Sequence, residues 1–294
     1  MRVLVLGGNG QLGHRVWMAA MARSHDTWVT LRHPAPEASW GVLFPRDRVV
    51  EGVEASHPAS LDAALALTSP DIVINALGIV KQRADGSDVG RCFAANVFVP
   101  HYLAQRCAAA GIRFITVSSD CVFTGQRGFY AEGDQADALD VYGMSKRLGE
   151  IDRPHLTLRT SHIGRSLSGQ FGLLEWLLAQ TDSVPGYRRA IYSGLTTAAL
   201  AATIMEVIDH HPSLAGLWHV SSRPITKLDL LVTIRDAFGL ETEIIPVDEP
   251  VIDRSLDDRR FRTETGIPQP TWAAMIGDLA TDPTPYATLR GERP

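Results

Sequence analysis

The chain has 294 residues, 45% of them hydrophobic, and a formal net charge of −5 at pH 7. This length and composition suit one large α/β domain with a smaller appended one. The acidic balance, without a basic block, argues against nucleic-acid binding. We find no apolar run of about eighteen residues and no leader-like segment, so we expect no membrane association and a cytoplasmic protein.

The N-terminus predicts a strand, a glycine-rich turn and a helix. Arg2–Leu6 is an apolar, β-branched run, and apolar residues recur at helical spacing after Gly13. Between them, the glycines fit both the Gly-x-Gly-x-x-Gly and the Gly-x-x-Gly-x-x-Gly spacings that place backbone N–H groups and a helix N-terminus against a pyrophosphate. An ordinary tight turn could carry the same glycines. The predicted dinucleotide contacts in this turn are Gly7, Gly10, Gln11, Leu12 and Gly13.

The second predicted strand, Trp28–Leu31, is followed by Arg32 where an NAD-preferring site usually carries an acidic residue. A guanidinium can bind the oxygens of a 2′-phosphate in a bidentate manner. We therefore expect NADP(H) as the preferred cofactor, with Arg32 as its phosphate ligand and NAD(H) as the second candidate. The alternative is that Arg32 is a solvated loop residue.

Strand-like and helix-like stretches then alternate, which predicts a doubly wound parallel sheet, the Rossmann type of α/β fold. The next strands are Ile72–Asn75 and Phe114–Val117, with a helix over Phe93–Ala110 between them. Ligands of such sheets collect beyond the carboxyl ends of the strands. The residues at two of these ends, Asn75–Gly78 and Ser118–Asp120, are therefore candidates for the site.

A helix predicted over Val141–Ile151 carries Tyr142 and Lys146 one turn apart. A neighbouring ammonium is expected to lower the pKa of the tyrosine toward working pH, which suits proton exchange with a carbonyl oxygen. Ser119 would give that oxygen a second hydrogen bond. An exposed helix face could also carry the Tyr/Lys pair by accident. Cys92, Cys107 and Cys121 lack metal-ligand spacing, so we predict reduced thiols and no metal site.

These motifs resemble an extended short-chain dehydrogenase/reductase, and specifically the dTDP-4-dehydrorhamnose reductase family. The resemblance covers nearly the whole chain. It is carried by three stretches, Val117–Gly125, Gly128–Asp134 and Val141–Glu150, with further matches at Leu158–Ser161 and Arg254–Asp257. Ser119 stands where the family pattern has threonine, which keeps a hydroxyl at that position.

The resemblance implies NADPH-dependent reduction of the 4-keto group of a nucleotide-linked 6-deoxy-4-hexulose. Ser119, Tyr142 and Lys146 would form the catalytic set, and Asp120 and Val122 would face the sugar. The further cofactor contacts that it implies are Asn75, Ala76, Leu77, Gly78, Asn96, Ser118, Tyr142 and Lys146.

The resemblance also implies a smaller C-terminal α/β substrate-binding domain. We expect the Rossmann domain over 1–160, with a return over about 190–233, and the substrate domain over 161–189 and 234–294. Arg188 and Arg254 are candidate ligands of the substrate diphosphate, although surface arginines are often only solvated. A homodimer is expected by resemblance, and Thr281–Pro294 reads as a loose tail.

The chain departs from the family pattern at Gly186–Thr197, where the usual Asp-Gln-x-Gly-x-Pro-Thr stretch is missing. Three alternative functions therefore stay open. A 4,6-dehydratase would need a glutamate after Asp120, and Cys121 stands there. A 4-epimerase with retained NAD uses the same hydroxyl, tyrosine and lysine, and Arg32 argues against it. A non-catalytic NADP-binding regulatory subunit would bind cofactor without turnover.

Overall fold

The computed structural model describes residues 1–34, 40–79, 88–169 and 172–291. The strands in these ranges are β1 (Arg2–Leu6), β2 (Asp26–Thr30), β3 (Val49–Val50), β4 (Ile72–Asn75), β5 (Arg113–Ser119), β6 (Leu156–Thr160), β7 (His162–Ile163), β8 (Val184–Tyr187), β9 (Ala190–Tyr192), β10 (Leu195–Thr196), β11 (Gly216–His219), β12 (Ile225–Thr226), β13 (Ile244–Val247) and β14 (Ile252–Asp253). The α-helices are α1 (Gly13–Ala22), α2 (Pro58–Thr68), α3 (Val89–Phe93), α4 (Val99–Ala110), α5 (Val141–Leu148), α6 (Leu173–Leu178), α7 (Thr197–His210), α8 (Lys227–Phe238), α9 (Arg259–Thr265), α10 (Trp272–Ala280) and α11 (Tyr286–Leu289).

Seven parallel strands form the central sheet in the order β11-β6-β5-β4-β1-β2-β3. Side chains of a strand alternate between the two faces of the sheet. On β1, Val3 and Val5 belong to the hydrophobic cluster that includes residues of α1 and α7. Leu4 and Leu6 belong to a second cluster, with residues of α2 and α4. Helices therefore cover both faces, and the prediction of a doubly wound parallel sheet is confirmed.

The strand register brings the site-bearing ends to one edge of the sheet. Leu6 pairs with Asn75, Asn75 pairs with Thr116, and Ser119 pairs with Thr160. The glycine turn, the Asn75 loop and the serine end of β5 therefore follow neighbouring strands at the same edge. This is the edge at which open α/β sheets bind ligands.

Three small sheets, β10-β7, β12-β9-β14 and β13-β8, lie outside the central sheet. Helix α8 packs against β8, β12 and β13 and against α10. Most of these elements come from the C-terminal half of the chain, while β11 returns to the edge of the central sheet beside β6. The division into a Rossmann domain and a substrate domain at the predicted boundaries stays a prediction.

Two predicted helices have different bounds. The helix predicted from Phe93 begins at Val89, where the Asp88 side chain accepts a hydrogen bond from Arg91 N, and a π-helical segment, Ala94–Phe98, joins α3 to α4. The helix predicted to reach Ile151 ends at Leu148. Gly149 passes so close to this π segment that a Cβ there would lie 1.7 Å from the carbonyl oxygen of Asn96.

The C-terminal segment is not a loose tail over the described residues 281–291, so that prediction is wrong there. Tyr286 and Leu289 are buried, and Trp40 Nε1 donates to Leu289 O at 2.9 Å. His14 Nε2 lies 3.0 Å from the Tyr286 hydroxyl, and Arg290 forms an ion pair with a carboxylate of α6. Because the segment is rich in polar residues, its composition did not indicate that Tyr286 and Leu289 of α11 would be buried and would anchor it. The last three residues of the predicted tail lie outside the described ranges.

Candidate active site

The glycine turn after β1 has a geometry that side chains would block. Gly7 has a φ of +78°, which favours glycine. A Cβ on Gly13 would lie 2.0 Å from the carbonyl oxygen of Gly7, so α1 can begin directly against the turn only with glycine at this position. No side chain caps the first turn of α1, which contains no acidic residue. The turn and the helix N-terminus therefore suit a phosphate group.

The loop after β4 packs directly against the glycine turn, since a Cβ on Gly7 would lie 3.2 Å from the carbonyl oxygen of Ala76. Asn75 Nδ2 donates to Thr116 Oγ1 at 3.1 Å, and its Oδ1 accepts from Leu77 N at 3.2 Å. Asn96, buried in the π segment, accepts from Ile79 N and donates to Ser145 Oγ on α5 at 3.0 Å. These side-chain amides hold the loop in place, one through β5 and the other through α5.

These elements enclose a cavity of about 300 Å³. Its wall combines the predicted cofactor-binding and catalytic residues of four chain segments. The predicted site residues in the wall are Gly7, Gly10, Gln11, Leu12, Asn75, Ala76, Leu77, Gly78, Ser118, Ser119, Tyr142 and Lys146.

The three predicted catalytic residues meet in this wall. The Ser119 hydroxyl donates to Asp120 Oδ1 at 3.2 Å, accepts from the backbone N–H two residues on at 3.1 Å, and lies close enough to the Tyr142 phenol to affect its pKa. Tyr142, on the first turn of α5, is only 9% exposed. The Lys146 ammonium donates to the carbonyl oxygen of Val117 on β5 at 3.1 Å. A serine, a phenol and an ammonium can thus face one bound carbonyl compound.

The pKa of Tyr142 departs from the sequence-based expectation. Burial raises it above its usual value, the nearby Cys121 and Asp120 raise it further, and the Ser119 hydroxyl opposes them. The predicted lowering by Lys146 is therefore not observed, because burial dominates and the ammonium is bound to the strand carbonyl. Burial also lowers the pKa of Lys146 to about 8, against the charge of Glu150. Tyr142 is consequently a neutral phenol at neutral pH, the form that can donate a proton.

Two predicted cofactor residues lie behind the cavity wall. Gly13 shapes the glycine turn, and Asn96 holds the loop after β4, as described above. Arg32 is exposed after β2, and its Nε lies 3.7 Å from Glu54 Oε1. This acidic neighbour would compete with a phosphate for the guanidinium.

The predicted substrate-binding residues are dispersed. Asp120 is buried directly beside Ser119, and burial raises its pKa against the positive charge of Arg254. Arg254 Nε donates to the carbonyl oxygen of Phe123 at 2.8 Å, which holds it near the site. Val122 instead packs in a hydrophobic cluster that includes Phe123, because the 3₁₀ turn after β5 directs it away from the cavity. Arg188 pairs with an exposed aspartate, Asp248, outside the cavity wall.

The sequence did not indicate Lys227 and Tyr192 as residues of the wall, and it favoured a structural role for His162, which also lies there. Burial and the charge of Lys146 lower the pKa of His162 to about 4, so its ring is neutral at physiological pH. Lys227 and Tyr192 come from the C-terminal half of the chain. A signal was present for Lys227: a lysine at the first position of a helix, directly after the capping Thr226, opposes the helix dipole.

In the described part of the chain, no helix is long and apolar enough to cross a membrane. The same residues contain no group of three or more His, Cys, Asp or Glu side chains that could hold a metal ion.

A glycine-rich turn, a tyrosine–lysine pair and a serine hydroxyl at one edge of a parallel sheet fit the class of the extended short-chain dehydrogenases/reductases, NAD(P)-dependent oxidoreductases, to which the chain belongs. Within this class the chain belongs to the family described as RmlD substrate binding domain, whose model matches residues 1–282. The resemblance seen in the sequence is thus confirmed.

Individual relatives span most of the chain at low identity. A probable low-salt glycan biosynthesis reductase of Haloferax volcanii is 28% identical, over 95% of this chain and 96% of that protein. Methionine adenosyltransferase 2 subunit beta of Mus musculus is 24% identical, over 94% and 88%. The crystal structure of dTDP-4-dehydrorhamnose reductase from Bacillus anthracis with NADP superposes with a TM-score of 0.78 at 18% identity, covering 95% of this chain and 98% of that one.

Proposed function

We propose that this protein reduces the 4-keto group of a nucleotide-linked 6-deoxy-4-hexulose with NADPH. The observation that carries the proposal is the convergence of Ser119, Tyr142 and Lys146 with the glycine turn on one cavity. Relatives named as a glycan biosynthesis reductase and as dTDP-4-dehydrorhamnose reductases support a reductase of sugar nucleotides.

The residues of the cavity fit a dinucleotide. The turn from Gly7 to Gly13 and the N-terminus of α1 would hold the pyrophosphate, and the loop after Asn75 would lie along the cofactor. Lys146 would reach the ribose hydroxyls. NADP(H) is the preferred cofactor and NAD(H) the second candidate, and structures of the same fold contain either NADP or NAD. When bound, the reduced cofactor supplies a hydride to the carbonyl carbon.

The chain's own residues handle the oxygen and the proton. Ser119 and Tyr142 orient the substrate carbonyl by hydrogen bonds to its oxygen. As negative charge develops on that oxygen, the neutral Tyr142 phenol donates its proton, and the product is a secondary alcohol. The phenolate that remains takes its proton back from solvent.

The test is NADPH oxidation followed by absorbance, with purified protein and dTDP-, UDP- and GDP-linked 4-keto-6-deoxy sugars generated in place by their dehydratases. Turnover with one sugar supports the proposal and identifies the nucleotide. If all the sugars are inert while NADPH binds, the reductase is excluded. The remaining candidates are then a 4-epimerase and a regulatory subunit like the methionine adenosyltransferase relative, and conversion of a UDP-hexose at C4 separates them.

Arg32→Ala is expected to weaken NADPH binding roughly tenfold and NADH binding hardly at all, since only NADPH carries the 2′-phosphate. Fluorescence titration of both cofactors measures this difference. Arg48→Ala is the matched control because Arg48 pairs with Asp26 at the other end of β2. Equal losses for NADPH and NADH in Arg32→Ala would remove Arg32 from the phosphate site.

We further propose a homodimer in which a second copy covers the apolar face formed by Phe93, Phe98, Met144 and Leu148. Each of these side chains is 41–48% exposed, and α3 packs against α5, so they share one region. Sedimentation should give about twice the chain mass of 32.0 kDa. Phe93→Glu should yield monomers, whereas Leu67→Glu, at an even more exposed apolar residue of α2, should not. A monomeric wild type would refute the dimer.

A further inference from the structure

Lysine is rare in this chain, and the cavity holds two of them. Only three of the 28 lysine and arginine residues are lysine. Lys146 and Lys227 both line the cavity, and the third, Lys81, lies outside the described residues. The catalytic arrangement accounts for Lys146 but leaves Lys227 without a role.

Lys227 occupies a position that does not stabilise the fold. It is the first residue of α8, where the partial positive charge of the helix N-terminus disfavours a cation. Burial lowers its pKa, which shows that the surroundings penalise its charge. A lysine with only a structural role would be better placed in solvent or beside a carboxylate.

Within the described ranges, the polar groups of Lys227 and Tyr192 have no hydrogen-bond acceptor. Lys227 Nζ lies 5.3 Å from the centre of the Tyr192 ring, and among the described residues no carboxylate lies within 4 Å of it. The Tyr192 hydroxyl is buried and has no hydrogen-bond partner in the described structure. The Ser161 side chain lies beside that hydroxyl without the geometry of a hydrogen bond. An ammonium and a phenol therefore line the cavity with unused donors.

Lys227 is a cation at this end of the cavity without an ion pair of its own. The charges of Lys227 and Arg254 both act on the pKa of the buried Asp120 carboxylate, and Arg254 also acts on that of Asp137. Among the described residues, no carboxylate is in ion-pair contact with Lys227 itself. A cavity-lining cation with free donors suits an anionic oxygen ligand.

We propose that Lys227 and Tyr192 form the subsite that binds a phosphoryl oxygen of the substrate's nucleoside diphosphate. Lys227 supplies the charge, Tyr192 supplies a neutral hydrogen bond, and the N-terminus of α8 adds its dipole. The subsite belongs to the proposed reductase site and so depends on that function for its substrate. It replaces Arg188, which points elsewhere, as the principal diphosphate ligand.

The experiment is calorimetric titration of UDP, dTDP and GDP into the protein saturated with NADP⁺, with the matching nucleosides as probes lacking phosphate. Lys227→Met should lower affinity for the bound nucleoside diphosphate roughly ten- to one-hundredfold, and Tyr192→Phe should lower it less. Lys227→Arg should restore part of the loss, because it keeps the charge. Arg235→Met, at the far end of the same helix and paired with Asp236, is the control and should bind like wild type.

NADPH affinity should stay unchanged in Lys227→Met, which shows that the variant is folded and that the loss concerns the second ligand. Equal nucleoside diphosphate affinity in wild type and Lys227→Met would overturn the subsite while leaving the reductase proposal standing. Lys227-dependent binding without turnover of any 4-keto sugar would support the subsite and refute the reductase. A wild type that binds none of the three diphosphates would refute both.

Discussion

Tyr142→Phe is expected to lower kcat for carbonyl reduction by about 10²- to 10⁴-fold, because it removes the hydroxyl that we propose as the proton donor to the new alkoxide. The ring remains in its buried position on α5, so the affinity for NADPH should hardly change. Steady-state kinetics with the sugar found in the substrate panel, together with cofactor titration, measure the two effects separately.

Tyr102→Phe provides the matched control. It removes a tyrosine hydroxyl that is hydrogen-bonded to Asp62 on the protein surface, away from the cavity. Its kcat should equal that of the wild type. A Tyr142→Phe variant that keeps full turnover, or that loses NADPH affinity in proportion to kcat, would contradict proton donation as the role of Tyr142.

The sequence predicted the parts of this molecule that depend on short stretches of chain. The buried strand Arg2–Leu6 and the glycine turn are contiguous, and backbone sterics determine what they form. Tyr142 and Lys146 lie on one helix, so their spacing already places them together. Ser119 lies near them because it ends a strand of the parallel sheet, and the alternation of strands and helices in the sequence indicated such a sheet.

The remaining features depend on contacts between distant segments. Lys227 reaches the cavity from a helix 81 residues beyond Lys146, and no local pattern indicates that approach. The raised pKa of Tyr142 arises from burial by several elements. The Tyr/Lys spacing in the sequence indicates a neighbouring ammonium, which would lower this pKa, but it does not indicate how deeply the phenol is buried. Similarly, the anchoring of Tyr286 required knowledge of its partner, His14, on α1.

A buried ion pair between Arg159 and Glu150 lies next to the active site. Arg159, on β6, donates to both oxygens of the Glu150 carboxylate at 2.7–2.8 Å, and the Ser118 hydroxyl donates to the same group. The side chains of Arg159 and Glu150 are only 3% and 13% exposed. Arg159 also donates to Nε2 of His219, whose pKa is lowered to about 3 by burial and by the arginine charge. Every charge in this network has a partner.

Glu150→Gln is expected to lower the free energy of unfolding by about 3–5 kcal/mol, because it leaves the Arg159 cation buried without a counter-charge. Urea denaturation at neutral pH measures the loss. Asp62→Asn is the matched control: Arg106 grips Asp62 with the same two-bond geometry, but at the surface, where such a pair contributes about 1 kcal/mol or less.

The double variant Glu150→Met/Arg159→Met distinguishes the loss of the pair from the cost of leaving one charge alone. It should be more stable than Glu150→Gln, because no unpaired charge stays buried. Glu150→Gln should also lower the pKa of Lys146 below about 8, since the carboxylate that raises it is gone. Stability losses of equal size in Glu150→Gln and Asp62→Asn would show that burial adds nothing to this pair. The Arg159–Glu150 pair would then contribute no more to the free energy of unfolding than a surface ion pair does, although it is buried.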